Sequence, residues 1–171
     1  MADSKISALT AAATLAATDQ LVIASSGATK KLSSSILPGF ELAYAEFTAE
    51  VSVTTATTIV TAPAFTADGV TPIRVEFMAC TFAGNNAGDT MSVHLYEDGA
   101  SIGNLAEVYI VASSFGISGF IHAVSDDMIP ASGSRTYSIR ATRSAANAMS
   151  VYAGAGGAGN RRPGFIRVVR V

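Results

Sequence analysis

The chain has 171 residues, of which 49% are hydrophobic and only 14% charged, with a net charge of −2, no Trp and a single cysteine, Cys80. So low a charge fraction suits a surface packed against neighbours better than a free monomer, and the slightly acidic balance argues against a nucleic-acid partner. No apolar run approaches the roughly 18 residues of a membrane span, the N-terminus lacks a signal-like apolar stretch, and one cysteine excludes an intramolecular disulfide. Cys80 reads as a small buried hydrophobe on a strand.

Residues 1–39 read as a small module. Short β-prone runs at 21–23 and 29–32 flank Ser25-Ser-Gly-Ala28, a hairpin signal. Ser33-Ser-Ser suits one capped helical turn before Pro38-Gly39 ends the segment. So short a piece needs another surface to cover its apolar residues. The string I-S-A-L-x(5)-L-x(3)-D-x-L-V-I-x(3)-G-x-T-K-K-L resembles the opening segment of many tailed-bacteriophage virion proteins, among them fibres, spikes and head-associated trimers. The resemblance implies attachment to the particle, with Ile6, Leu9, Leu15, Leu21, Ile23, Lys30, Lys31, Leu32 and Ile36 as the docking residues. It does not choose between head and tail.

From residue 40 the pattern turns to alternating strands. Leu42, Tyr44 and Glu46 alternate with Ala43, Ala45 and Phe47. Thr/Val-rich runs follow at 51–53 and 57–61. Pro72 opens a long strand whose Ile73, Val75, Phe77 and Ala79 share a face. In the next, at 90–97, Met91, Val93 and Leu95 point inward. Asp98-Gly99 is a type I′ hairpin signal leading to a run at 102–111. Further strands are expected at 120–124, at 137–142 with Tyr137, Ile139 and Ala141 on one face, at the A-M-S-V-Y-A run, and at the closing F-I-R-V-V-R-V. Eight or nine strands at this spacing predict an all-β sandwich or barrel. The order L-Y-E-D-G-x-x-I-G, then P-A-S-G-S-R-T-Y-S-I-R-A, then V-Y-A-G-A-G-G and the terminal strand resembles the tumour-necrosis-factor-like jelly roll that forms trimeric knobs on phage proteins. That resemblance covers about residues 41–171 and implies a homotrimer.

Charge is segregated along the chain. Residues 41–128 hold eleven acids against Arg74 alone, a net −10, while residues 129–171 hold seven arginines and no acid. Either acidic early strands lie beside basic late strands within one sandwich, or the basic end of one subunit meets the acidic middle of its neighbour. Tyr137, Arg140, Tyr152, Arg161, Arg162, Phe165 and Arg167 are the candidate subunit-contact residues.

The sequence offers little for catalysis. Gly154, Gly156 and Gly159 spell G-x-G-x-x-G, but a strand follows and no acid lies beyond Asp127. A zinc site would need both histidines, His94 and His122, plus a carboxylate at matching depth; a surface His94 and a partly buried, hydrogen-bonded His122 are the expectation, and no G-x-S-x-G elbow occurs. Asp126-Asp127 sits in a loop without calcium-type ligand spacing and suits loop capping or a salt bridge between subunits. The expectation is a non-enzymatic phage virion protein without metal or cofactor. It would be a trimeric capsid decoration or head-fibre protein, with a docking arm at 1–39 and a jelly roll at 40–171. The length leaves no room for a long fibre shaft. Its partners would be a phage major capsid protein or another virion protein, with no nucleic acid and no membrane. It would be located in the virion and assembled in the bacterial cytoplasm. The alternative is a minor tail protein or receptor-binding tip recognising a host glycan; a small hydrolase is the third reading.

Overall fold

A computed structural model describes residues 20–25, 28–33, 38–84, 86–111, 120–144, 147 and 149–171. Among the described residues every regular element is a strand. The strands are β1 (Gln20–Ser25), β2 (Ala28–Ser33), β3 (Glu41–Phe47), β4 (Val51–Val53), β5 (Thr57–Thr61), β6 (Phe65–Ala67), β7 (Ile73–Ala79) and β8 (Thr81–Gly84). They continue as β9 (Thr90–Glu97), β10 (Ala100–Tyr109), β11 (Ile121–Val124), β12 (Gly133–Arg135), β13 (Tyr137–Arg143), β14 (Met149–Tyr152) and β15 (Gly164–Arg170).

Two four-stranded sheets carry the fold, in the orders β10-β9-β13-β5 and β11-β7-β15-β3. Early strands pair antiparallel with late ones: β3 with β15, β5 with β13, and β7 with both β11 and β15. The innermost pair, β9 and β10, is a hairpin. This is a long hairpin rolled over itself, the wrapping of a jelly roll, so the expected all-β, jelly-roll-like antiparallel sandwich is what the chain forms. The β1–β2 hairpin also forms, with Gln20 opposite Ser33 and Ser25 opposite Ala28.

Alternation decides which face is buried. In β7, Ile73, Val75, Phe77 and Ala79 are buried while Arg74, Glu76 and Met78 are not. In β9, Met91, Val93 and Leu95 point inward, as do Tyr137, Ile139 and Ala141 of β13 and Ile166 and Val168 of β15. A third sheet, β4-β14-β8, adds Val53, Phe82, Met149 and Val151 to the same core. Each large side chain so buried contributes about 1.5–3 kcal/mol.

The Asp98-Gly99 turn has φ of 49° and 87°, both positive as a type I′ turn requires. Asp98 is held there by the Thr136 backbone N–H at 2.9 Å and the Arg135 guanidinium at 2.8 Å. The position of Cys80 differs from the expectation. It lies in the bend after β7, half-buried, and its thiol donates to the Arg162 carbonyl at 3.1 Å. The strand stops one residue short because the chain turns into β8.

Acid sensitivity follows from two turn carboxylates. Asp68 accepts from the Thr71 hydroxyl at 2.5 Å and from the Val70 and Thr71 backbone N–H groups at 3.0 and 2.8 Å. The Thr71 hydroxyl first and the backbone N–H groups next hold its carboxyl well below its ordinary value of 3.8. Asp98 is lowered in the same way, first by Arg135 and then by the Thr136 N–H. A carboxyl with a lower folded than unfolded pKa stabilises the fold above the unfolded value and loses that contribution as pH falls. The melting temperature is therefore expected to decline as pH drops below about 4. The deficit of Asp68→Asn relative to the unmodified chain should shrink over the same range. Calorimetry between pH 7 and pH 2 checks this, and a deficit independent of pH would contradict it.

Candidate functional site

The outer face of the β11-β7-β15-β3 sheet sets open apolar side chains among charged ones. Strand register sets its composition. One row runs His122, Met78, Phe165, Glu46, and the next runs Val124, Glu76, Arg167, Tyr44. These are the positions left outside when the alternate residues of each strand enter the core. Phe120 lies at the margin, 68% exposed, with Val124 at 45% and Tyr44 at 38%. Met78 and Phe165 are half-buried between them. The Tyr44 and Phe165 rings sit 5.8 Å apart, tilted by 33°.

Charge is set into this apolar surface. Arg167 donates to the Glu76 carboxylate through Nε at 3.2 Å and Nη2 at 2.5 Å. His122 Nε2 lies 3.7 Å from the same oxygen. Arg74 pairs with Asp127 at 2.7 Å. Tyr44 donates its phenol proton to Glu46, and that hydrogen bond, ahead of partial burial, pushes the phenol pKa up to about 12. The face therefore offers aromatic and aliphatic area together with fixed charges of both signs.

The opposite sheet has a different outer face. Arg140 lies 4.3 Å over the Tyr96 ring, and His94 Nε2 is 3.2 Å from the Thr142 hydroxyl. Ser92, His94 and Tyr96 stand opposite Thr142, Arg140 and the buried Ser138 across the strands, a polar set of residues. His94 and His122 thus occupy outer faces of different sheets.

The candidate contact residues separate into four places. Phe165 and Arg167 lie on the apolar face, and Arg140 lies on the opposite sheet. Tyr152 carries the Arg161 guanidinium 4.4 Å above its ring, and Arg162 follows in the same loop. That loop is closed by Gly154 N–H to the Arg162 carbonyl at 3.0 Å and Gly156 N–H to the Arg161 carbonyl at 2.9 Å, and a strand follows it rather than a helix. Tyr137 is completely buried in the core of its own protomer and stacked on Phe65, which leaves it no surface to give a neighbour. Of the docking residues, Ile6, Leu9, Leu15 and Ile36 lie outside the described residues; Leu21, Ile23, Lys30, Lys31 and Leu32 fall in the β1–β2 hairpin. The face residues not singled out from sequence are Tyr44, Glu76, Met78, Phe120, His122 and Val124. Their signal was the unburied half of each alternating run.

The two-way charge question has a partial answer within the protomer. Three late arginines reach acids of the middle segment: Arg135 to Asp98 and Glu97, Arg167 to Glu76, and Arg170 to Asp68. Asp127 likewise pairs with Arg74 of its own chain.

No protein-family model matches the chain, and no curated protein matches it in sequence. Among solved structures, the chain is similar to the Eiger TNF of S. frugiperda at 15% identity, covering 79% of this chain and 94% of that one, with a TM-score of 0.44. It is similar to the insecticidal delta-endotoxin Cry8Ea1 of Bacillus thuringiensis at 11% identity over 71% of this chain and 19% of the toxin, with a TM-score of 0.43. A third likeness is to infectious bursal disease virus, Gx strain, at 13% identity over 88% of this chain and 44% of that chain, with a TM-score of 0.32.

Proposed function

We propose that this chain is a non-enzymatic structural protein of a tailed-phage virion, a homotrimeric capsid decoration or head-fibre protein. Residues 1–39 act as a docking arm for the major capsid protein or another virion protein, and residues 40–171 form the jelly-roll knob. The observation that carries the reading is the outer face of the β11-β7-β15-β3 sheet. An apolar surface with Phe120, Val124 and Tyr44 open to solvent is a self-association surface more than a solvated one. Arg74 and Arg167 stand beside Glu46, Glu76 and Asp127, so the face offers charges of both signs to the different patch that a neighbouring copy presents in a threefold ring. The number three rests on the resemblance of the strand order to tumour-necrosis-factor-like knobs, and the phage assignment on the resemblance of residues 1–39.

Three arms on one knob would bind a symmetric particle tightly even if each arm binds weakly, through effective concentration. Deleting residues 1–38 is therefore expected to abolish binding to particles in a cosedimentation assay while circular dichroism still reports a folded β domain. Particle binding by the truncated protein at the level of the full chain would refute the docking role.

A further inference from the structure

One side chain on the proposed assembly face is of the kind that changes charge near neutral pH. Phe120, His122 and Val124 point outward in turn along the chain entering and forming β11, and all three are exposed. His122 stands opposite the half-buried Met78 of β7. Its ring is thus bordered by apolar side chains along its own strand and across the register. Histidine is the side chain that gains a charge between about pH 8 and 5.

The charges around it are few, and most are already engaged. His122 Nε2 lies 3.7 Å from Glu76 Oε2 of β7. That oxygen accepts from both Nε and Nη2 of Arg167 of β15, at 3.2 and 2.5 Å. Arg74 of β7 is paired with Asp127, just beyond β11, at 2.7 Å. Asp126 also lies beyond the end of β11 and has no ion pair among the described residues. Glu46 accepts the Tyr44 phenol proton on β3, at the far edge of the sheet. The edge strand β10, which approaches β11 from the other sheet, carries Glu107 as its one charged residue, opposite Ser92 of β9. With a neutral imidazole, Glu76 and Arg167 balance each other. A proton on His122 puts a second cation on the same carboxylate and leaves one positive charge in excess.

We infer that His122 makes assembly through the β11-β7-β15-β3 face pH-sensitive, with protonation of its imidazole driving the copies apart. The inference rests on the proposed assembly through that face. In a separated protomer the His122 and Arg167 side chains are 45% and 42% exposed, so water solvates the excess charge. Under a neighbouring copy the same charge is desolvated beside Phe120, Val124 and Phe165, which costs free energy. Separated protomers therefore take up the proton more readily, and by linkage protons favour the separated state. Assembly is strong while the imidazole is neutral and weakens as pH falls and the ring is charged. Asp68 and Asp98 lose their stabilising ionisation only below about pH 4, so the fold stays intact over this range.

The test is a dilution series of the full chain carrying an N-terminal dye, followed by fluorescence-detected sedimentation at about pH 7.5 and about pH 5.5, with circular dichroism as the check on folding. The protomer concentration at half assembly is expected to rise about tenfold at the lower pH, the equivalent of a one-unit difference in proton affinity between the two states. His122→Gln cannot take up the proton and should assemble alike at both pH values. His122→Lys carries a fixed charge and should need an about tenfold higher concentration already at the higher pH. His94→Gln, on the opposite sheet, should keep the response of the unmodified chain. Assembly independent of pH in the unmodified chain, assembly that tightens at the lower pH, or an undiminished response in His122→Gln would overturn the inference while leaving the assembly face in place. Protomers alone at the higher pH, at every concentration, would overturn the assembly reading and the inference with it.

Discussion

Gly164→Ala is expected to lower the stability of the folded chain by about 3 kcal/mol. Gly164 opens β15 opposite Phe47 of β3. A methyl group at its Cα would overlap the edge of the Phe47 ring and come within 2.8 Å of the Met78 carbonyl oxygen. Neither neighbour can yield at little cost. The Phe47 ring is stacked on Phe77 with centroids 6.3 Å apart and planes 11° off parallel, and Phe77 is wholly buried. The Met78 carbonyl belongs to the backbone of the central strand β7. Relief requires β15 to move off β7, and with it Ile166 and Val168 of the core. Gly103→Ala is the control, because a Cβ there meets nothing within 4 Å. It should change stability by less than about 0.5 kcal/mol. Equal denaturant midpoints for the two variants would show that the close approach at Gly164 carries no weight.

Arg167→Glu is expected to dissociate the proposed trimer into protomers. Arg167 is 42% exposed, while its partner Glu76 is only 15% exposed and so relies on that guanidinium. Reversing the charge sets two carboxylates side by side at the centre of the face, with Glu46 and Tyr44 on the neighbouring strand. Like charges at a desolvated contact cost several kcal/mol across an interface. Arg161→Glu makes the same charge change on the exposed loop beside Tyr152. It should leave assembly intact. Light scattering after gel filtration separates the outcomes, with circular dichroism confirming that each variant is folded. Dissociation by both substitutions, or by neither, would remove the β11-β7-β15-β3 face from the assembly.

Much of the fold was legible because local pattern and turn chemistry agreed. The alternation in β7 and β9 named the buried residues correctly, and Asp98-Gly99 marked the tight hairpin. The strands that local pattern did not reveal are β6, β8 and β12. Each has three or four residues, and β6 and β8 pair with partners far along the chain, β12 and β14. Such pairing leaves no local periodicity to read. Tyr137 was placed on the core side by its alternation with Ile139 and Ala141 and also named as a candidate contact; the structure buries its side chain completely. The charge segregation was equally visible in sequence. Only the structure shows Arg135, Arg167 and Arg170 reaching middle-segment acids inside one chain.

In the proposed trimer the β11-β7-β15-β3 face of each copy meets its neighbour. The most direct measurement is the solution mass of the unmodified full chain by light scattering after gel filtration. A species of three times the 17.4 kDa protomer mass, persisting on dilution, is expected. A species of one protomer mass at all concentrations would contradict it, and would leave the exposed Phe120, Val124 and Tyr44 surface to a partner other than its own copy.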